Sequence, residues 1–113
     1  MDFRVTQDNG TAIVETNVEK LNATNASELK SELMKIGNNG VNNIIIDMSN
    51  TKYCDSSGLS AILVANRLCK DRNGSFILCG LQTNVEKLIQ IAQLDRVLSI
   101  TANEAEAQAL ISS

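Results

Sequence analysis

The 113-residue sequence predicts an α/β fold, a mixed β-sheet of four to five strands with about four α-helices packed against it. Three observations lead there. The runs Asn43-Ile44-Ile45-Ile46-Asp47-Met48 and Phe76-Ile77-Leu78-Cys79 are continuously apolar, as in strands covered on both faces. A segment of helical periodicity lies between them, which makes a β-α-β unit with parallel strands. An Asn-Gly pair near the start of the chain marks an antiparallel hairpin.

In chain order, Phe3-Arg4-Val5-Thr6-Gln7 and Thr11-Ala12-Ile13-Val14-Glu15 read as the two hairpin strands, with Asp8-Asn9-Gly10 supplying the positive φ of the turn. The polar segment Thr16 to Thr24 follows as a loop. A helix then begins near Asn25, with Glu28 completing a capping box and Ala26, Leu29, Leu33 and Ile36 on one face; Asn38-Asn39-Gly40 ends it. After the isoleucine strand comes a central helix from about Leu59 to Lys70, then the turn Asn73-Gly74 and the strand Phe76 to Cys79. Thr83 with Glu86 makes a second capping box, ahead of Val85, Leu88, Ile89 and Ala92. Val97-Leu98-Ser99-Ile100 reads as a short strand, and Asn103 with Glu106 opens a last helix through Leu110.

Residues 1–113 are expected to form one domain, since 43% hydrophobic content suffices for a core without metal or disulfide support. A net charge of -3 without a basic cluster argues against nucleic acid or a polybasic membrane patch and favours a protein partner. No apolar run approaches a membrane span, and Met1-Asp2-Phe3-Arg4 passes straight into strand-like sequence, so a cytoplasmic location is expected. The three cysteines, Cys54, Cys69 and Cys79, include no C-x-x-C pair and read as small buried hydrophobes. The chain has no histidine, which removes Ser-His-Asp and Cys-His schemes, and it has no Gly-rich phosphate loop. Neither an enzyme nor a cofactor is expected.

The stretch Tyr53-Cys54-Asp55-Ser56-Ser57-Gly58-Leu59 sits between the isoleucine strand and the central helix. Asp55, Ser56 and Ser57 can each cap that helix, and a phosphate on either serine would meet the positive end of its dipole. The other three helices carry a glutamate in the third position, Glu28, Glu86 and Glu106, whereas here Gly58, Leu59 or Ser60 falls there. N–H groups at this start are therefore expected to remain available to a phosphate or to a partner's acceptor. At about 100° per residue, Ala61, Ile62, Ala65, Leu68 and Cys69 gather on the sheet side. Leu59 and Leu63 fall with Asn66, Arg67 and Lys70. Two arrangements fit them: packing under a neighbouring helix, or an exposed apolar strip beside the serines that a protein partner would cover.

The whole chain resembles the STAS domains of bacterial anti-sigma factor antagonists. The likeness rests on Asp55-Ser56-Ser57-Gly58-Leu59 after Ile44-Ile45-Ile46-Asp47, on Leu78-Cys79-Gly80-Leu81 before a helix, and on Leu94-Asp95-Arg96-Val97-Leu98 before a final strand and an alanine-rich helix. It implies a single STAS-like domain and a partner-switching cycle. In that cycle the unphosphorylated antagonist binds an anti-sigma factor that is also an ATP-dependent serine kinase, a sigma factor is freed, and phosphorylation ends binding. A serine phosphatase would reset it. By position the resemblance selects Ser57 as phosphoacceptor, with Asp55 and Ser56 shaping the loop and Gly58 allowing close approach of the partner; the residues alone leave Ser56 and Ser57 equivalent. Asn22, Leu59, Leu63 and Asn66 are the partner-binding candidates. One departure stands out: family members often carry an aspartate in the loop before the first helix, where Asn22 keeps the hydrogen-bonding shape and loses the charge. The alternative reading is a non-switching STAS subunit of a transport complex or larger signalling assembly.

Overall fold

The computed structural model describes residues 2–8 and 10–112. Strands β1 (Phe3–Asp8) and β2 (Thr11–Thr16) form the antiparallel hairpin, pairing Arg4 with Glu15 and Val5 with Val14. Gly10 takes φ +81, as the turn requires, while Asn9 lies outside the described residues. The short β3 (Lys20–Leu21) precedes α1 (Ala26–Asn38), and β4 (Asn43–Asp47) is followed by the short β5 (Tyr53–Cys54) and α2 (Ser56–Asp71). Then come β6 (Phe76–Cys79), α3 (Thr83–Ile91), a 3-10 turn at Leu94–Arg96, β7 (Ser99–Thr101) and α4 (Glu104–Ser112). The main sheet has the order β1-β2-β4-β6-β7, with every pairing after the hairpin parallel.

The continuous apolar strands are covered on both faces, in the period of two that strands impose. Ala12, Val14, Ile44, Ile46 and Leu78 face the larger core with Leu29 and Leu33 of α1, Ile62 and Ala65 of α2, and Val85 and Ile89 of α3. Ile45, Ile77 and Cys79 face the other way, against Ala107 of α4. The predicted face of α1 is buried at all four positions, and Ala61, Ile62, Ala65 and Cys69 of α2 are buried with Leu68 half-buried. At their far ends α1 and α2 are joined by the Arg72 guanidinium, which donates to the Gly37 carbonyl.

Several local expectations change. The segment Thr16 to Thr24 is not all loop: β3 pairs in parallel with β5 as a separate two-stranded ribbon. Asn25 begins α1 but forms no capping box with Glu28, because its amide turns back to the loop, accepting from the Asn22 N–H (3.0 Å) and donating to the Lys20 carbonyl (2.9 Å). The N-cap position of α3 is Gln82, not Thr83, and its side chain reaches the Ser49 carbonyl at 2.7 Å instead of capping. Ala92 ends α3 and is exposed. The last strand starts at Ser99 because Leu94–Arg96 close a 3-10 turn that drops Leu98 into the core. The Asn103 cap does form, accepting from the Glu106 N–H at 2.9 Å.

Where α4 begins, the carboxyl groups of Glu15, Asp47 and Glu104 come together, with Arg4 reaching Glu15 at 3.9 Å. A hydrogen bond shared with Asp47, then burial and the negative charges of Asp47 and Glu15, raise Glu104 from 4.5 to about 7, with Arg4 opposing. Burial raises Asp47, but hydrogen bonds from Glu104 and Ser49 outweigh it and hold this carboxyl below its usual value. Glu104 therefore takes up a proton on folding between its ordinary value and about 7, so its contribution to stability falls as pH rises through that window. Asp47 acts oppositely, and its contribution is lost only at lower pH. Glu104→Gln should flatten the decline in unfolding free energy between pH 5 and pH 8 by about 1 kcal/mol after allowance for solvent screening. Urea melts of both proteins across that range measure the difference, and parallel declines would contradict it.

Candidate functional site

The site is built where the loops leaving β2 and β4 meet. Thr16 and Thr51 are fully buried, and their hydroxyls lie 2.7 Å apart. Thr51 Oγ1 also reaches the Val18 carbonyl at 2.8 Å and Thr16 Oγ1 the Asp47 carbonyl at 3.3 Å, and either hydroxyl can be the donor between the two. The Glu19 carbonyl accepts from the N–H groups of Lys52 and Tyr53 (2.8 and 3.0 Å), and the Leu21 carbonyl accepts from Asp55 N–H at 3.1 Å. These bonds form the β3–β5 ribbon, and its end delivers Asp55 to the start of α2.

Asp55 is the N-cap. Its Oδ1 accepts from the N–H groups of Ser57 (2.9 Å) and Gly58 (3.1 Å), and its carbonyl accepts from Leu59 N–H at 2.9 Å. The expectation of free N–H groups at this start holds only in part: no first-turn glutamate is present, but the aspartate itself occupies the Ser57 and Gly58 donors and leaves that of Ser56. Ser56 is exposed and Ser57 half-buried. Both line a groove of about 410 Å³ between the first turns of α1 and α2, together with Ala26, Ser27, Lys30 and Ser60.

Gly58 serves the packing of the site itself. It is buried, and a Cβ there would stand 2.7 Å from Cys54 Sγ and 2.8 Å from the Leu21 carbonyl oxygen. Its missing side chain lets α2 seat on the ribbon. Asn22 lines a second hollow, of about 240 Å³, on the other side of the cap, with Leu21, Tyr53, Cys54 and Asp55. Its Oδ1 accepts from Thr24 N–H at 2.9 Å, an Asx turn that a carboxylate would make equally well. The structure thus brings Asn22 to Asp55 but sets Ser57 in the neighbouring groove.

The two leucines separate. Leu59 is half-buried against the larger core, whereas Leu63 is exposed. Asn66 is buried at 9% exposure and lines a cleft with Phe76, Ile77 and Val97, so it leaves almost no surface to a partner on the serine side. Met34 on α1, Tyr53 on the ribbon, and Lys30 with Ser27 in the groove were not singled out in the sequence. Their exposure or convergence depends on how α1, α2 and the ribbon pack, and spacing along one helix does not give that. Burial, then the Asp55 charge, pushes the Cys54 thiol up to about 11, so it stays protonated at neutral pH beside the serines. Burial raises Cys69 to about 11 and Cys79 to about 12. These thiols pack as small hydrophobes.

The STAS domain family model matches residues 2–107. BtrV of Bordetella bronchiseptica, described as a candidate anti-sigma factor antagonist, is 27% identical over 89 residues, which are 79% of this chain and 76% of that protein. The crystal structure of a candidate anti-sigma factor antagonist from Thermotoga maritima, TM1081, superposes with a TM-score of 0.91 at 26% identity, covering 98% of this chain and 95% of its own. The Bacillus anti-sigma factor antagonist SpoIIAA shares the fold in its unphosphorylated form (TM-score 0.77, 18% identity, 98% of each chain). Its phosphorylated form does so too (TM-score 0.75, 17% identity, 96% of this chain and 98% of its own).

An alanine in a helix would ordinarily stabilise over glycine, by about 1 kcal/mol. At position 58 the sign should reverse: Gly58→Ala is expected to lose about 1–3 kcal/mol in urea unfolding, because backbone of the ribbon must shift. A gain in stability would show that the ribbon does not constrain α2.

Proposed function

The chain belongs to the STAS domain family, and from that membership we propose that it is an anti-sigma factor antagonist controlled by phosphorylation of Ser57. In its unphosphorylated form it binds an anti-sigma factor that is also a serine kinase, and so frees a sigma factor. ATP belongs to the kinase, and a serine phosphatase restores the binding form. The docking surface runs over the first turns of α2 and α1, with Leu63 as an apolar contact and Asp55 and Asn22 at its border.

The observation that carries this reading is the position of Ser57, in the first turn of α2 and lining an open groove, at a helix start held by Asp55 and the ribbon. A phosphoserine brings about -1.5 to -2 charges. At this place they would lie on the same helical turn as the Asp55 carboxylate, which already occupies the nearby donors. A docked interface would have to desolvate that added charge, and release follows.

Incubation with the cognate anti-sigma kinase and ATP should add one phosphate to Ser57, read by peptide mass spectrometry, and Ser57→Ala should abolish it. Ser57→Glu should weaken binding to that kinase at least about tenfold, or about 1.4 kcal/mol. Modification of Ser56 instead, with Ser57 untouched, would overturn the assignment.

A further inference from the structure

The groove that Ser57 faces contains one cation. Ser56, Ser57 and Ser60 of α2 line it with hydroxyls, and α1 contributes Ser27 and Lys30. Lys30 is half-buried, and among the described residues no carboxylate pairs with it. The start of α2 keeps only the Ser56 N–H for an anion there. Asp55 Oδ1 takes the N–H groups of Ser57 and Gly58, the Asp55 carbonyl takes that of Leu59, and the aspartate's own charge repels a phosphate. Repulsion from Asp55 would favour a phosphate on Ser57 that faces the α1 wall of the groove.

We propose that Lys30 is the counter-charge of a phosphate on Ser57, so that the α1–α2 groove is an intramolecular berth for the modification. This rests on the reading of Ser57 as phosphoacceptor. The ammonium of Lys30 and the hydroxyls of Ser27 and Ser60 are donors, and at about 410 Å³ the groove has room for a phosphate. Phosphorylation then does two things at once. It fills the groove, and it withdraws from any partner the one cation that lines it. Release would therefore include loss of an attraction as well as gain of a repulsion.

Phosphoserine can be installed at position 57 during translation by stop-codon suppression, which needs no kinase. The phosphorus resonance is then followed by NMR from about pH 4 to about pH 8, with the second ionisation of a free phosphoserine at about 6 as reference. The phosphate should ionise below that reference, and Lys30→Met should raise its midpoint by about half a unit or more. Lys30→Arg should keep the low value, and Lys35→Met, which removes an exposed charge elsewhere on α1, should leave it in place. Lys30→Gln serves as a second neutral variant, with amide spectra showing that each protein is folded. A midpoint that neither neutral variant moves, or that Lys35→Met moves equally, would overturn the berth. A cognate kinase that modifies a residue other than Ser57 would overturn the acceptor assignment instead, so the two failures are read separately.

Discussion

The buried pair of hydroxyls, Thr16 and Thr51, is the contact on which the site depends. Two loops that leave the parallel strands β2 and β4 would otherwise run separately over the end of the sheet. Thr51 binds the Val18 carbonyl, the ribbon forms next to it, and Asp55 and Gly58 then have fixed neighbours. A buried hydroxyl without a partner costs about 1–3 kcal/mol, so the two threonines hold each other in place as much as they hold the loops. The position of Ser57 follows from this chain of contacts, not from the propensity of α2 alone.

The sheet and its helices were legible because their signals are local and strong. Three consecutive isoleucines require cover on both faces, and the structure provides it, with Ile44 and Ile46 under α1 and α2 and Ile45 under α4. The ribbon was not legible. Its two strands have two residues each and lie more than thirty positions apart, so no window of sequence contains the pairing. The capping boxes at Glu28 and Glu86 failed for two reasons: Asn25 turns its side chain back onto Lys20 and Asn22 of the preceding loop, and the cap position of α3 falls to Gln82, whose side chain reaches the distant Ser49 carbonyl.

In the site, the capping role of the Asp55 stretch could be read from residue type, and the choice of Ser57 came from the family pattern. What the sequence could not show was occupancy. The absence of a first-turn glutamate suggested free donors, yet Asp55 fills those of Ser57 and Gly58. Periodicity likewise joined Leu59, Leu63 and Asn66, and packing against different neighbours divided them. Lys30 became visible only when α1 lay beside α2.

The uneven thickness of the two layers has a consequence for how the molecule opens. On one side three helices share a large core with the ribbon and the cap of α2; on the other, α4 rests on a small patch around Ala107 and on a carboxyl group that stays protonated to about pH 7. Local opening costs least where few apolar contacts are lost. The amides of α4 should thus exchange with solvent sooner than those of α2, so the terminal helix can lift while the serine groove keeps its shape.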